Sequence, residues 1–259
     1  MKYAVPAVAA LLALYAVPAA AQQSAAPGEG EREWAVTLGA SGALVPEYEG
    51  SEDYEVIPYP LIDVVWRDRL FLSSRRGAGA YLWNDGGIKL GASIGYAFGR
   101  DDDDGPLLDG LGDVDGGATV NLFASYEFGG FDLSSRFTHQ FTGDDTGYVV
   151  DVGIGYTFRL PPGMIVKPSL STEYASDDHM EAYFGISPSQ SVRSGNPVHD
   201  ADAGFKNIGP ELLVVFPLDE NVSLQGTASY KRLLGDAGDS PITEDADQFS
   251  LGVGVAYRF

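Results

Sequence analysis

The final eleven residues of the sequence alternate without error between large apolar side chains and small or polar ones. Because successive side chains of a β-strand point to opposite faces, this pattern predicts a strand with one apolar face. Its length suits a tilted strand that crosses a bilayer, which takes about 9–11 residues. The apolar face carries Phe249, Leu251, Val253, Val255, Tyr257 and Phe259.

The same period of two recurs along the chain and predicts further membrane strands. The alternating segments cover residues 34–40, 88–98, 120–128, 131–141, 148–158, 164–175, 205–216 and 222–234. Aromatic residues gather near the ends of several segments, where membrane barrels carry their aromatic girdles. The pattern therefore predicts an all-β fold, a transmembrane antiparallel β-barrel over residues 34–259 in the cell outer membrane. We expect a monomeric barrel in contact with outer-membrane lipid.

Turn lengths predict the topology and the number of strands. Short turns alternate with longer loops, and bacterial barrels place short turns in the periplasm and long loops outside. Counting back from a last strand that ends in the periplasm gives about eleven strands, and since such barrels have even numbers, twelve is predicted and ten is the alternative. The ambiguity lies at Arg69 to Trp83, which is either one strand or two short ones across Arg75-Arg76-Gly77. Pro58 and Pro60 are expected to break the strands of their region, because proline cannot donate to a ladder.

Both ends of the sequence indicate export to the outer membrane. Lys2 precedes an apolar stretch from Tyr3 to Val17 and an Ala-x-Ala site, which predicts a secretory signal peptide over residues 1–21. Residues 22–33 are mostly small, polar or charged and predict a flexible periplasmic lead-in. A last strand that ends on an aromatic residue resembles the assembly signal of bacterial outer-membrane barrels. We therefore predict that the apolar face ending at Phe259 is the barrel assembly signal.

Composition excludes several classes of function. The sequence has no cysteine, which excludes disulfides and thiolate metal sites. Its formal net charge is −21, so we expect no binding to nucleic acid, whose phosphates would repel it. The acidic residues cluster between the predicted strands and so belong to the loops.

The polar faces of the predicted strands carry charges of both signs. They are Lys89, Glu127, Arg136, Asp151, Arg159, Lys167, Glu173, Glu211, Lys231 and Arg258, together with Asp132. Similar numbers of acids and bases favour ion pairs that fill a small lumen. A selective pore is the alternative, although a large channel would need a wider barrel.

Metal binding and catalysis have weak support in the sequence. Asp101 to Asp104 form an unbroken acidic run whose oxygens could hold calcium, but the D-x-[DN]-x-[DN]-G spacing of a calcium loop is absent. His139, His179 and His199 are the available catalytic bases, and no Gly-x-Ser-x-Gly turn accompanies them. We expect a solvated acidic loop, no cofactor, no metal site and no catalytic residue.

Several ordered motifs resemble the MipA/OmpV family. They are Pro46-Glu-Tyr-Glu-Gly-Ser51, Tyr54-Glu-Val-Ile-Pro-Tyr-Pro60, Gly95-Tyr-Ala-Phe-Gly-Arg100, Gly110-Leu-Gly-Asp-Val-Asp115, and Ala182-Tyr-Phe-Gly-Ile-Ser187 with Gln190-Ser191 and Ser194-Gly195. The resemblance runs from about Trp34 to Phe259. It implies an outer-membrane barrel that binds a murein lytic transglycosylase and a penicillin-binding protein, as a scaffold for peptidoglycan synthesis. The alternatives are a narrow channel or solute-uptake porin and, with less support, an outer-membrane lipid hydrolase.

Overall fold

A computed structural model of the protein describes residues 33–144 and 146–259, so the predicted signal peptide and nearly all of the lead-in lie outside the described residues. The described chain is one antiparallel sheet with short helices in its loops. The strands are β1 (Trp34–Pro46), β2 (Tyr54–Trp66), β3 (Leu70–Ser73), β4 (Gly77–Asp85), β5 (Ile88–Ala97), β6 (Gly117–Phe128), β7 (Phe131–Gln140), β8 (Tyr148–Tyr156), β9 (Phe158–Leu160), β10 (Met164–Ala175), β11 (Gly204–Pro217), β12 (Val222–Leu233) and β13 (Asp247–Arg258).

The sheet closes on itself and has twelve strands in its wall. β1 pairs with both β2 and β13, and β10 pairs with β11, so each strand has a neighbour on either side. β8 and β9 both pair with β10 and form one interrupted strand of the wall. The result is a closed antiparallel barrel of 12 strands, as predicted. Arg69 to Trp83 forms two short strands across Arg75 and Arg76, which resolves the ambiguity between ten and twelve.

The two faces of the strands follow the alternation in the sequence. In β13 the side chains from Phe249 to Tyr257 on the predicted apolar face are exposed outward, and Gly252, Gly254 and Ala256 between them are buried. Val253 lies directly opposite Gly42 of β1 and Gly226 of β12. A register shift of one residue would reverse both faces, so this burial pattern supports the predicted register.

The prediction that Pro58 and Pro60 break a strand is wrong. Both lie inside β2, which runs without interruption from Tyr54 to Trp66. The prolines pair in register with Gly42 and Ala40 of β1. In β2 the even-numbered residues direct their N–H and C=O groups away from β1, as the bonds between Ile62 and Ser74 show. The missing N–H groups of Pro58 and Pro60 therefore lie on the edge of β2 where none of the described strands pairs with these two residues.

The helices all lie in the loops at one end of the barrel. They are α1 (Asp177–Phe184), α2 (Pro188–Ser194) and α3 (Gly235–Gly238). None of the helices in the described residues is long and apolar enough to cross a membrane. We assign this end as extracellular, because the long loops of bacterial barrels face outward and the turns at the other end are short.

Deletion of Phe259 tests the predicted assembly signal. Its backbone N–H donates to Val36 O at 3.0 Å, and its ring lies 4.8 Å from that of Tyr257. The deletion removes a bond that closes the ladder between the last strand and the first, so we expect a large loss of folded barrel in the membrane. Heat-modifiable migration on a gel measures the folded fraction. Removal of the exposed Val192 from α2 is the control. If the Phe259 deletion migrated in the same way as the Val192 deletion and the parent, Phe259 would not be part of an assembly signal.

Candidate functional site in the barrel interior and wall

The extracellular loops converge over the mouth of the barrel and form a cap. We define the cap as residues 47–53, 98–116, 176–203 and 234–246. One apolar cluster of the cap contains Tyr48, Leu108, Leu111, Ile186 and Ile242, and all five are buried. These residues come from four loops that leave the rim between different strands, so the loops must cross the mouth to meet. The sequence predicted acidic loops but not this apolar core.

Hydrogen bonds to main-chain carbonyls tie the cap together. Arg100 Nη1 donates to Tyr183 O at 2.6 Å, which joins the β5–β6 loop to α1. Gln190 Nε2 donates to Leu111 O at 2.8 Å and joins the same loop to α2. Burial lowers the pKa of the Arg100 guanidinium, and burial raises the pKa of Tyr183. The cap is therefore a packed structure that lies across the extracellular mouth.

A buried ion network lies beneath the cap. Lys206 Nζ is 3.0 Å from Glu49 and 3.1 Å from Glu173, and Glu173 also pairs with Lys231. The Lys206 side chain is only 5% exposed. The structure thus brings together the predicted lumen residues Glu173 and Lys231. Sequence reasoning missed Lys206 and Glu49, although Lys206 alternates with the outward Phe205 and the same period of two could have found it.

The other predicted lumen charges are distributed along the interior. Lys167 pairs with Asp132 at 2.9 Å in a buried position, and Lys89 pairs with Glu127 at 2.8 Å near the periplasmic end. Arg136 of β7 lies opposite Asp151 of β8 in register. In the part of the chain that the structure describes, Glu211 Oε1 and Asp151 Oδ2 are buried without a hydrogen-bond partner. Arg159 and Arg258 lie at the periplasmic end of the wall.

The periplasmic half of the lumen contains apolar and aromatic side chains. The ring of Phe71 lies 5.0 Å from Tyr81 and 5.7 Å from Phe123. Arg76 stacks over Phe71 at 4.5 Å and pairs with Asp63 at 2.7 Å. On the other side of the lumen a second buried cluster contains Ile165, Leu213 and Val215. This packing narrows the route from the lumen to the periplasm.

A cavity of about 850 Å³ lies in the barrel beneath the cap. Its inner walls come from small side chains such as Ser41, Ala43 and Ala97, which leave room in the lumen. The lining also includes outward-facing residues of β2 and β5, among them Pro58 and Tyr96. Residues on both faces of β2 and β5 therefore border the cavity.

The wall is open at this place because β3 and β4 are short. β3 pairs with β2 only along residues 63–66, and β4 pairs with β5 only along residues 88–94. In the part of the chain that the structure describes, no strand pairs with residues 54–61 of β2 on this edge, which at about 3.4 Å per residue is roughly 25 Å of strand. The turn Ser74–Arg76 forms the lower border, and Gly105 of the cap lies next to Tyr48 above the gap. We call this gap the wall opening.

The acidic run lies in the cap. Carboxylate oxygens of Asp101, Asp103 and Asp104 all lie within 4.8 Å of one another. Asp104 Oδ2 accepts a hydrogen bond from Asp101 N at 3.0 Å, so this carboxylate helps to hold the loop in place. Burial and the neighbouring carboxylates raise the pKa of Asp101. Three acids of one loop do not by themselves define a metal site.

The histidines contact groups other than serine hydroxyls. His139 Nδ1 is 2.7 Å from Gly147 O, and His199 Nε2 is 2.9 Å from Asp236 O. His179 Nε2 is 3.5 Å from Lys206 Nζ. Burial and the charge of Lys206 lower the pKa of His179 to about 3, so its ring is neutral at pH 7. None of these contacts is the histidine–serine pair that a hydrolase would need.

The closed wall, the outward apolar face and the loop topology define an outer-membrane β-barrel. A family model described as "MltA-interacting protein MipA" matches residues 38–259. The chain belongs to this family, which confirms the resemblance found in the sequence.

Relatives and a solved structure agree with this assignment. The chain is 25% identical over 233 residues to the outer membrane protein OmpV of Vibrio cholerae, with 88% of each chain covered. It is 26% identical over 239 residues to the MltA-interacting protein of Escherichia coli K12, covering 90% of this chain and 93% of the relative. The NanC porin superimposes with a TM-score of 0.50 at 8% identity, covering 86% of this chain and 100% of the porin, and supports the fold alone. The protein is an outer-membrane protein.

Proposed function

We propose that the protein is an interaction protein of the outer membrane that binds a murein lytic transglycosylase through its periplasmic face. The observation that carries this proposal is its similarity to the MltA-interacting protein over 93% of that relative. The protein acts as a scaffold in peptidoglycan synthesis, with a penicillin-binding protein as a second partner, and it is not an enzyme. The proposal of a penicillin-binding protein as second partner is based on the family resemblance alone.

The interior of the barrel supports a binding role over that of a wide porin. The cap crosses the extracellular mouth, and buried apolar clusters narrow the periplasmic half. A route along the barrel axis would have to pass both. The surfaces that remain for a periplasmic partner are the short turns and the predicted lead-in.

The turn between β11 and β12 offers a preorganised contact on the periplasmic face. Asp219 Oδ1 accepts hydrogen bonds from Asn221 N at 2.8 Å and Val222 N at 2.7 Å, and these bonds lower the pKa of Asp219. The adjacent Leu218 is 56% exposed. An exposed leucine on a fixed turn loses little entropy when a partner covers it.

Capture of a purified lytic transglycosylase by the barrel in nanodiscs tests the proposal. We expect Leu218→Asp, combined with a Gly/Ser linker in place of residues 22–32, to weaken capture by about tenfold, as for the loss of an apolar anchor. Val192→Asp is the matched control, because Val192 is 87% exposed but lies on α2 in the cap. The Val192→Asp variant should capture the transglycosylase as well as the parent does.

Planar bilayer recording separates this function from the channel alternative. We expect no large steady conductance from the purified protein. Stable porin-like conductance, together with transglycosylase capture that the periplasmic changes do not weaken, would favour the channel function and contradict the scaffold function.

A further inference from the structure

We propose that the wall opening is the entrance of a binding cavity for an acyl chain with an anionic head group, which enters sideways from the outer leaflet of the membrane. This inference goes beyond the scaffold function and does not depend on it. Free fatty acids and anionic phospholipids share the required chemistry. The proposal rests on the rim of the opening, the shape of the cavity and the charges inside it.

The two strands that flank the wall opening present apolar side chains to the lipid. On β2 these are Val56, which is 73% exposed, and the two prolines. On β5 they include Tyr96 and the nearby Phe98, whose rings lie 5.3 Å apart. An acyl chain can therefore leave the bilayer between β2 and β5 along apolar side chains, above the polar turn Ser74–Arg76.

The prolines keep the opening from being filled by another strand. An unpaired strand edge normally offers N–H and C=O groups to a partner strand. Pro58 and Pro60 have no N–H on the open edge of β2, so a strand added there could not complete its ladder. The edge is suited to a ligand that needs no backbone pairing, and a second copy of this chain is disfavoured as the occupant.

The cavity behind the rim has the size and lining of a ligand site. Its volume of about 850 Å³ falls in the range of about 300–1,000 Å³ that is common for small-molecule pockets. Lumen-facing residues from β1, β5 and β13 are small, including Ser41, Ala97 and Gly254. Tyr59 borders the entrance and donates a hydrogen bond to Ser74 O at 2.6 Å, which fixes the lower edge.

Arginine side chains make part of the cavity lining cationic. Arg75, Arg76 and Arg136 line it, and Glu55 is the acid among its lining residues. Arg76 is engaged by Asp63 and Tyr81. Arg136 has no ion pair within 4.0 Å among the described residues, although Asp151 lies opposite it in the ladder. Guanidinium groups bind carboxylates and phosphates well, so an anionic head group fits next to Arg136.

The route from the membrane is favoured over a route from water. The cap lies across the mouth above the cavity, and its aspartates repel an anion that approaches from outside. The wall opening lies below the cap at the level of the outward apolar side chains of β2 and β5. An anionic amphiphile already anchored in lipid reaches the opening by lateral diffusion.

Photolabelling in nanodiscs of phosphatidylcholine tests the proposal. The probe is palmitate with a diazirine on its chain and an alkyne for detection, and mass spectrometry locates the adducts. We expect adducts on the lumen-facing residues Thr119 and Thr138, which lie on β6 and β7 away from the wall opening. Outward residues of the opposite wall, such as Leu170, report non-specific labelling.

Two substitutions fill the cavity, and one matched substitution does not. Ala97→Trp on β5 and Ser41→Phe on β1 should each reduce the lumen adducts by at least about fivefold, while labelling of Leu170 is unchanged. Leu90→Trp places the same large ring on the lipid face of β5 and should label like the parent. Heat-modifiable migration verifies that each variant is folded. Because there are two filling variants, the proposal can still be tested if one of them misfolds.

Competition with unlabelled compounds tests the head group and identifies the source. Palmitate should compete at least about tenfold better than hexadecanol, as expected for a charge-assisted hydrogen bond, and Arg136→Gln should remove this difference. If phosphatidylglycerol competes in the same way as palmitate, a phospholipid is also an occupant. Adducts restricted to outward residues, or equal lumen labelling of the filling variants and Leu90→Trp, would overturn the proposal. Equal competition by palmitate and hexadecanol would overturn the anionic head group.

Discussion

Replacement of Glu173 by glutamine is expected to lower the free energy of unfolding by about 3–5 kcal/mol, the usual cost of leaving a buried charge without its partner. Glu173 lies between two ammonium groups, at 3.1 Å from Lys206 and in direct contact with Lys231. Glutamine has nearly the same shape but no charge, so Lys231 would lose its ion pair with Glu173, while Lys206 would keep only the one with Glu49. Reversible urea unfolding in lipid vesicles measures the change.

Glu127→Gln is the matched control for this prediction. Glu127 also pairs with a lysine from the polar face of a strand, but its side chain is 44% exposed, so we expect a loss of about 0–1 kcal/mol. The double variant Glu173→Gln with Lys231→Met should recover part of the loss, because the lysine that loses its ion pair with Glu173 is then absent. Equal effects of Glu173→Gln and Glu127→Gln would contradict the view that the network stabilises the barrel.

Val253→Arg is expected to destabilise the barrel by about 2–4 kcal/mol, the cost of a cationic side chain on the lipid face near the bilayer midplane. Val253 lies in the middle of β13, is 55% exposed and has glycines opposite it on both neighbouring strands. No acid from those neighbours is available to pair with the new charge. The change in free energy is measured by the same unfolding in vesicles.

Two controls separate the charge from other effects of the substitution. Val253→Leu keeps the site apolar and should change stability little. Gly252→Ser places a small polar group on the opposite face, where Gly252 lines the cavity, and should be tolerated much better than arginine. A loss for Gly252→Ser as large as that for Val253→Arg would mean that the faces of β13 are assigned the wrong way round.

Local patterns in the sequence determined most of the wall. A period of two is a property of each strand, so it predicted the outward face of β13 and the inward position of Lys167 and Glu173 without knowledge of neighbouring strands. Turn lengths predicted the orientation, and the even number of strands led to twelve. The motifs from Pro46 to Gly195 were sufficient to identify the family.

Contacts between distant segments required the tertiary structure. Lys206 and Glu49 are separated by 157 positions in the sequence, and the charge of each residue alone does not predict that they pair. The apolar core of the cap joins four loops whose acidic composition predicted only solvated segments. Convergence of loops depends on the closure of the barrel, which places their ends around one rim.

The sequence by itself therefore determined the class of protein, its membrane-facing surface and its family, because these follow from residue type and local spacing. The wall opening was decided by the tertiary structure. Pro58 and Pro60 were visible in the sequence as residues that disturb pairing, but whether they end a strand or occupy an open edge depends on the neighbouring strand. β3 is too short to cover them, and pairing between strands is set by the register of the closed sheet rather than by the residues of β2 alone.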